Sequence, residues 1–225
     1  MKRAVVLLSG GLDSATTLYY AKRKGFKVYG LIFDYGQRHR KEIHQAKKIA
    51  GAAGCEYRLV KITFPWRGSS LLDKSMDLPR NRDLNREEIP STYVPARNII
   101  FLSYAASFAE AIGAQVIFIG ANSVDYSGYP DCRPEFYSAF RKALAVGQKS
   151  GVEGKVIKIE TPLVKKTKAE IIKLGLTLRV PFHLTWSCYA GGPRPCGVCD
   201  SCRLRRRGFE AVGAIDPMDT KTHGT

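Results

Sequence analysis

Ser9-Gly10-Gly11-Leu12-Asp13-Ser14 stands directly behind the apolar run Ala4-Val5-Val6-Leu7-Leu8, and this junction decides the fold. A short Val- and Leu-rich run bounded by turn residues reads as a strand buried on both faces, the kind found in parallel sheets. Beyond the loop, Ser14 to Lys24 carries apolar residues at Ala15, Leu18 and Ala21 and stops at Gly25, which reads as a helix. Two glycines let the backbone turn sharply and approach a ligand with no Cβ in the way. The helix that follows directs free N–H groups and a partial positive charge into the loop. Ser9 and Ser14 add hydroxyls, and Asp13 is placed to cap the helix or to hold Mg2+ through water. An ordinary tight strand-to-helix turn draws on the same residue types, so the loop alone leaves both readings open.

The pattern repeats outward from this junction. Val28–Phe33 reads as a second buried strand, Glu42–Ala53 as a helix ending at Gly54, and Tyr57–Ile62 as a third strand. Strand and helix alternating through short connections predict an α/β fold with a doubly wound parallel sheet. From Thr63 to Pro95 the periodicity breaks, with several prolines and mixed charges, which predicts a functional lid spanning about 63–97. Regularity returns with a helix over Asn98–Ile112 and a strand over Val116–Ile119. Gly120 to Pro134 is irregular; Glu135–Gln148 reads as a helix, Lys155–Ile159 as a strand and Lys168–Leu174 as a helix. Residues 1–180 are therefore read as the α/β domain. A Cys-, Gly- and Pro-rich segment with a basic helix from Cys202 occupies 181–212, and 213–225 reads as a flexible tail.

Composition bounds the function. With 44% hydrophobic and 25% charged residues the chain is an ordinary globular protein, neither fibrous nor disordered. Met1-Lys2-Arg3 is followed by only five apolar residues, too few for a secretory h-region or a membrane span, so a cytoplasmic location is expected. Lys+Arg 36 against Asp+Glu 20 leaves a net charge of +16, compatible with a polyanionic partner without choosing among tRNA, nucleotides and simple solubility.

Four of the six cysteines fall close together as Cys188-x7-Cys196-x2-Cys199-x2-Cys202, among turn-forming Gly191, Gly192, Pro193, Pro195 and Gly197. Cytosolic thiols stay reduced, so such a cluster reads as a metal site. Four thiolates make a closed tetrahedral set for structural Zn2+, although spacing alone also admits an iron–sulfur cluster. Cys55 reads as a small buried hydrophobe. Cys132 reads as a packing or substrate-lining residue, since no base adjoins it. His39 is read as a solvated or capping group rather than a base, and His44, five residues on, does not make a metal pair with it.

Ser-Gly-Gly-x-Asp-Ser behind an N-terminal strand resembles the pyrophosphatase loop of the N-type ATP pyrophosphatases. It is not a Walker A loop: no Gly-Lys-Ser/Thr is present, and Gly147-Gln148-Lys149-Ser150 carries an extra residue. No Gly-x-Gly-x-x-Gly follows a strand either. Together with the four cysteines, the loop resembles one family, the 7-cyano-7-deazaguanine synthases of queuosine biosynthesis. Phe33-Asp34-Tyr35-Gly36-Gln37-Arg38-His39, Tyr93-Val94-Pro95-Ala96-Arg97-Asn98, Asp125 to Arg133, Thr161-Pro162-Leu163 and Lys168-Ala169-Glu170-Ile171 extend the likeness from Leu8 to Cys202. One departure is Ala96, where glycine is expected.

The resemblance implies an adenine nucleotide alpha-hydrolase-like fold. It also implies an ATP- and Mg2+-dependent ligase that turns 7-carboxy-7-deazaguanine and ammonia into the nitrile through adenylated carboxylate and amide intermediates. It implies Zn2+ on Cys188, Cys196, Cys199 and Cys202, and a homodimer. The nucleotide is expected along Leu8, Ser9, Gly10, Gly11, Leu12, Asp13, Ser14, Ala15, Thr16, Thr17 and Leu18, with the Asp34–His39 neighbourhood near adenosine. Arg97 and Lys168, with Asp13, are the catalytic candidates. Asn122, Asp131 and Arg133 are the expected substrate side, Asp131 on the guanine-like edge and Arg133 on the carboxylate. A tRNA-thiolation-type enzyme or RNA-binding protein is the alternative, supported by the charge and by Arg203, Arg205, Arg206 and Arg207. No separate RNA-binding domain fits in the remaining length, so direct nucleic-acid binding is not expected.

Overall fold

The computed structural model describes residues 1–84, 88–124 and 129–219. In chain order the elements are β1 (Arg3–Leu7), α1 (Leu12–Arg23), β2 (Lys27–Asp34), α2 (Lys41–Ala52), β3 (Glu56–Lys61), α3 (Arg97–Ala111), β4 (Val116–Phe118), α4 (Pro134–Gly147), α5 (Lys149–Val152), β5 (Lys158–Glu160), α6 (Lys168–Thr177) and α7 (Asp200–Ala211). Single 3-10 turns lie at Pro130–Cys132 and Phe182–Leu184.

All strand pairs are parallel, and the sheet order is β3-β2-β1-β4-β5. The chain therefore winds outward from β1 to one edge and returns to fill the other, the doubly wound order expected from the sequence. Central β1 is buried on both faces, which is why its sequence is an unbroken apolar run. Ala4, Val6 and Leu8 face one layer, packed with Leu12, Ala15 and Leu18 of α1, Ile43 and Ile49 of α2, Ile171 of α6 and Phe209 of α7. Val5 and Leu7 face the other, with Leu102 and Ala105 of α3 and Tyr137 and Leu144 of α4.

Three boundaries differ from expectation. The last strand is shorter and later, because Lys155 N–H turns back to the Ser150 carbonyl at 2.7 Å and pairing with β4 begins only at Lys158. Helix α6 runs through Gly175 instead of stopping before it. A Cβ there would lie 2.2 Å from the Phe182 ring, so the glycine permits close packing and does not end the helix. The tail is held beyond 213: Asp216 takes two hydrogen bonds from Arg205, at 2.8 and 2.9 Å, leaving only 220–225 outside the described residues.

Residues 63–96 hold no helix or strand among those described, but they are pinned. Arg38 N–H donates to the Leu71 carbonyl, Arg38 Nη2 donates to the Asp73 and Met76 carbonyls, and the Thr92 hydroxyl lies 2.7 Å from that of Tyr129. The far part of this stretch docks on the cysteine segment, through Asn81 N–H to the Val198 carbonyl and an Arg82–Asp200 ion pair at 3.0 Å.

Candidate nucleotide and metal sites

In open parallel sheets, ligands sit beyond the carboxyl ends of the strands where the strand order reverses, here between β1 and β4. A cavity opens at that point. Its walls include Ser9, Gly11, Asp13 and Ser14 behind β1, Tyr35 and Gln37 behind β2, and Ile119 and Gly120 behind β4.

The loop holds its own shape. Ser14 Oγ accepts from Ser9 N–H at 3.2 Å and donates to the Gly11 carbonyl at 3.0 Å, and Ser9 Oγ accepts from Gly11 N–H at 3.2 Å. Gly10 has φ +88°, and a Cβ on it would stand 2.2 Å from the Glu42 carbonyl oxygen, so no other residue fits. Gly120 plays the matching part behind β4, since a Cβ there would be 2.9 Å from the Asp13 carbonyl. Two backbones thus meet across the switch point with nothing between them. Gly11 is the N-cap of α1 and brings no side-chain cap, leaving the helix N-terminus open toward the cavity.

Asp13 does not cap the helix. Both of its carboxylate oxygens accept from Lys168 Nζ at 2.8 Å. Lys168 is the first residue of α6, whose start is fixed by a capping box between Thr167 and Glu170. Its aliphatic stem lies under Gly208 of α7, where a Cβ would come within 2.6 Å of Cγ. Ala15, Thr16, Thr17 and Leu18, also expected along the nucleotide, lie further along α1, outside the cavity wall. Thr16 and Thr17 hydroxyls donate to the Leu12 and Asp13 carbonyls, and Ala15 and Leu18 belong to the core.

On the α3 side Arg97 and Asn98 reach the cavity with Phe101, Leu71, Tyr129 and Cys132. Arg97 Nη1 donates to the Tyr35 hydroxyl at 3.4 Å. Burial works against its charge, but Tyr35, Tyr129, Asp131 and Cys132 push its pKa further above the ordinary arginine range, so it stays cationic. Burial and the neighbouring Asp131 push the Cys132 thiol up to about 12, which rules out a thiolate nucleophile at neutral pH. Asn98 holds the Asp131–Cys132 backbone, donating from Nδ2 to the Asp131 carbonyl at 3.1 Å.

The expected substrate side divides. Asn122 lines the cavity, buried, with its amide on the Lys166 carbonyl. Asp131 does not line it: its Oδ2 accepts Asn98 N–H at 3.1 Å, serving the start of α3, and burial raises its pKa. Arg133 is exposed at the N-cap of α4, also off the cavity wall. Asp125 to Gly128, part of the same expected stretch, lie outside the described residues. Sequence reading misses Trp186, Ser187 and Arg205, which enter the wall from the cysteine segment and α7. It also misplaces His39, which is 2% exposed and lines the cavity rather than facing solvent. Nothing in the local pattern around Trp186, Ser187 and Arg205 marks them, because the packing of the cysteine segment brings them to the cavity, whereas His39 belongs to the stretch behind β2 already expected near the nucleotide.

Cys188, Cys196, Cys199 and Cys202 bring their sulfurs within 4.8 Å of one another. Cys196 N–H donates to Cys188 Sγ and Cys199 N–H to Cys196 Sγ, at 3.3 and 3.4 Å. N–H groups aimed at sulfur favour thiolates, and four of them at this range fit a tetrahedral Zn2+ set. Cys188, Cys199 and Cys202 are buried with Trp186 in one small cluster. Trp186 links the cluster to the loop, donating its backbone N–H to the Gly10 carbonyl at 2.9 Å while Lys41 Nζ sits 3.8 Å over its ring. Three arginines of the basic helix bond within the chain. Arg205 is buried on Asp216, Thr185 and Ser187, Arg203 donates to the Arg82 carbonyl, and Arg206 to that of Gly197.

Among the described residues no helix is long and apolar enough to cross a membrane. NMN synthetase from Francisella tularensis shares the fold with a TM-score of 0.51 at 16% identity, covering 95% of this chain and 78% of that one. A 7-cyano-7-deazaguanine synthase from Acetivibrio thermocellus is 56% identical over 97% of this chain and 98% of its own length. One from Trichodesmium erythraeum is 51% identical over 96% and 99%. The model of the queuosine biosynthesis protein QueC matches residues 3–213. Matched by that model over nearly its whole length, and by relatives more than half identical to it, the chain belongs to the QueC family of queuosine biosynthesis proteins.

Proposed function

We propose that this chain is an ATP-dependent carbon–nitrogen ligase that makes 7-cyano-7-deazaguanine from 7-carboxy-7-deazaguanine and ammonia. The observation that carries the reading is the open Ser9–Ser14 loop at the switch point of the sheet, in a chain akin over its full length to proteins named for that product. A carboxylate oxygen is a poor leaving group. Attack of that oxygen on the α phosphorus makes it part of AMP, which ammonia then displaces to give the amide. Adenylation of the amide oxygen and elimination give the nitrile.

None of these steps needs a protein nucleophile, in keeping with the raised pKa of Cys132. Positioning and charge compensation are what remains for the protein. The uncapped N–H groups at the start of α1, held in place by the loop, take the β and γ phosphates as pyrophosphate departs. Lys168 and Arg97 answer phosphate charge, and Asn122 faces the base. Mg2+ would further neutralise the phosphate oxygens, with Asp13, already bonded to Lys168 Nζ through both oxygens, as its candidate holder through water. Zn2+ on the four cysteines is structural, since a filled set of four thiolates leaves no open position. The family reading brings with it a cytoplasmic homodimer that takes small-molecule substrates.

An RNA-binding reading draws less from the basic run than its sequence suggests, because Arg205 is buried on the Asp216 carboxylate. Arg206 and Arg207 stay exposed, so a salt-dependent tRNA shift is the measurement that separates the two readings, and none is expected of a small-molecule ligase. The test is incubation of the purified protein with ATP, Mg2+, ammonium and the 7-carboxy base. The expected products are the nitrile by mass, with AMP and pyrophosphate from two ATP, and ¹⁸O from the carboxylate appearing in AMP. ADP and unlabelled phosphate as the only nucleotide products would refute the mechanism.

A further inference from the structure

His39 stands just ahead of α2 and Glu42 in its first turn, and their side chains meet with Nε2 3.0 Å from Oε2. Both line the cavity. His39 Nδ1 is buried and has no hydrogen-bond partner among the described residues. An unsatisfied buried polar atom costs about 1–3 kcal/mol, so one retained in the wall of a site calls for a ligand atom. An ionised Glu42 can only accept, so it takes the proton on Nε2 and leaves a lone pair on Nδ1. A carboxylate behind an imidazole also steadies the ring once it becomes charged. Tyr189 packs against the ring at a tilt, 5.7 Å between centroids. The backbone at Arg38 and His39 is closed over by Gly191, where a Cβ would be 3.0 Å from the Arg38 carbonyl. The pair adjoins the loop, because the Glu42 carbonyl is the atom that Gly10 packs against.

We infer that His39 Nδ1 is the proton acceptor of the ammonia-consuming step, with Glu42 as its positioning partner. This rests on the function proposed above. Ammonia nitrogen attacks the acyl-adenylate carbon and a C–N bond forms. The C–O bond to AMP breaks with its electron pair leaving on AMP, and one N–H proton passes to His39 Nδ1. The products are the primary amide, AMP and a protonated His39, whose charge the Glu42 carboxylate compensates. Besides Glu42 and Tyr189, the charged groups sharing the cavity wall are Asp13 and Lys168, which are bonded to each other, together with Arg97 and Arg205.

The full-length wild type is compared with His39→Gln and Glu42→Gln. The pyrophosphate burst from ATP and the acid without ammonium should fall far less than amide formation in His39→Gln. Its ammonium-dependent amide formation should fall ~100-fold or more. Amide formation should also fall in Glu42→Gln, by a smaller factor, and recover in part in Glu42→Asp, which keeps the carboxylate behind the ring. Independently of any variant, ¹⁵N spectra of the histidine-labelled wild type should show His39 bare at Nδ1 and protonated at Nε2 at neutral pH. A His39→Gln protein that loses its pyrophosphate burst along with amide formation makes His39 a phosphate ligand and overturns the inference, as does a proton on Nδ1. A wild type that gives no pyrophosphate with the acid overturns the parent reading and this one together. A wild type that does, beside a His39→Gln amide rate within about threefold of it, overturns this inference alone.

Discussion

The two walls of the cavity are made differently. The wall behind β1 is six consecutive residues whose hydrogen bonds to one another set its shape, and what it offers a ligand is mainly backbone. The wall toward α3 is made of single side chains, Arg97 and Asn98 from the start of α3 and Tyr129 and Cys132 from the irregular segment before α4. The first wall is a local motif and the second a convergence. A local motif is broken by steric change at its glycines. A convergent wall should tolerate local change but fail through the one charge it contributes.

The largest expected effect would break this contrast if it spared the loop. Cys199→Ser leaves three thiolates and a weak fourth ligand, so loss of metal and a marked fall in melting temperature are expected, metal binding being folding free energy here. Because Trp186 N–H holds the Gly10 carbonyl, ATP affinity should fall too. Metal content, calorimetry and nucleotide titration check this, and full stability in a metal-free variant would show the cysteine segment to be dispensable.

Gly10→Ala comes next. Its Cβ would meet the Glu42 carbonyl at 2.2 Å with φ at +88°, so a cost of about 3 kcal/mol or more is expected, together with loss of nucleotide binding. Denaturant melts and ATP titration measure both. Wild-type binding would mean that the loop is not self-determined.

Arg97→Ala sharpens the contrast from the other side. Turnover should fall by ~3 kcal/mol in activation free energy, as for a lost charge partner of the transition state. Stability should change by about 1 kcal/mol or less. A melting collapse with unchanged specific activity would make Arg97 structural.

The smallest effect is expected at Ala96, whose φ of +54° is a left-handed conformation that glycine adopts freely. Ala96→Gly relieves about 1–2 kcal/mol of backbone strain but adds unfolded-state entropy, for a net gain of under about 1 kcal/mol. A loss of stability on denaturant melts would show that the Ala96 methyl packs favourably.

How far the site can be read from sequence follows the same division. The glycines, hydroxyls and helix start of Ser9–Ser14 act where they stand in the chain, and the structure keeps Ser9, Gly11, Asp13 and Ser14 in the cavity wall. Asp131 and Arg133 are two residues apart in a promising stretch, yet one serves the start of α3 and the other faces solvent. Spacing cannot reveal this, because the direction of a side chain in an irregular segment depends on what packs against it. His39 is half legible: its stretch behind β2 is expected near adenosine, but its burial comes from Tyr189 and Gly191, distant in sequence.

By itself the sequence determined what is set by local backbone geometry and periodicity. That covers the alternation of buried strands and helices, the phosphate-type loop behind β1, and the four cysteines whose spacing lets them converge. Only the tertiary structure decided which charges face each other, because ion pairing depends on distances across the sheet. It paired Lys168 with Asp13 across 155 positions and buried Arg205 of the basic run on Asp216. It also left His39 Nδ1 buried with no hydrogen-bond partner among the described residues, which no local pattern encodes.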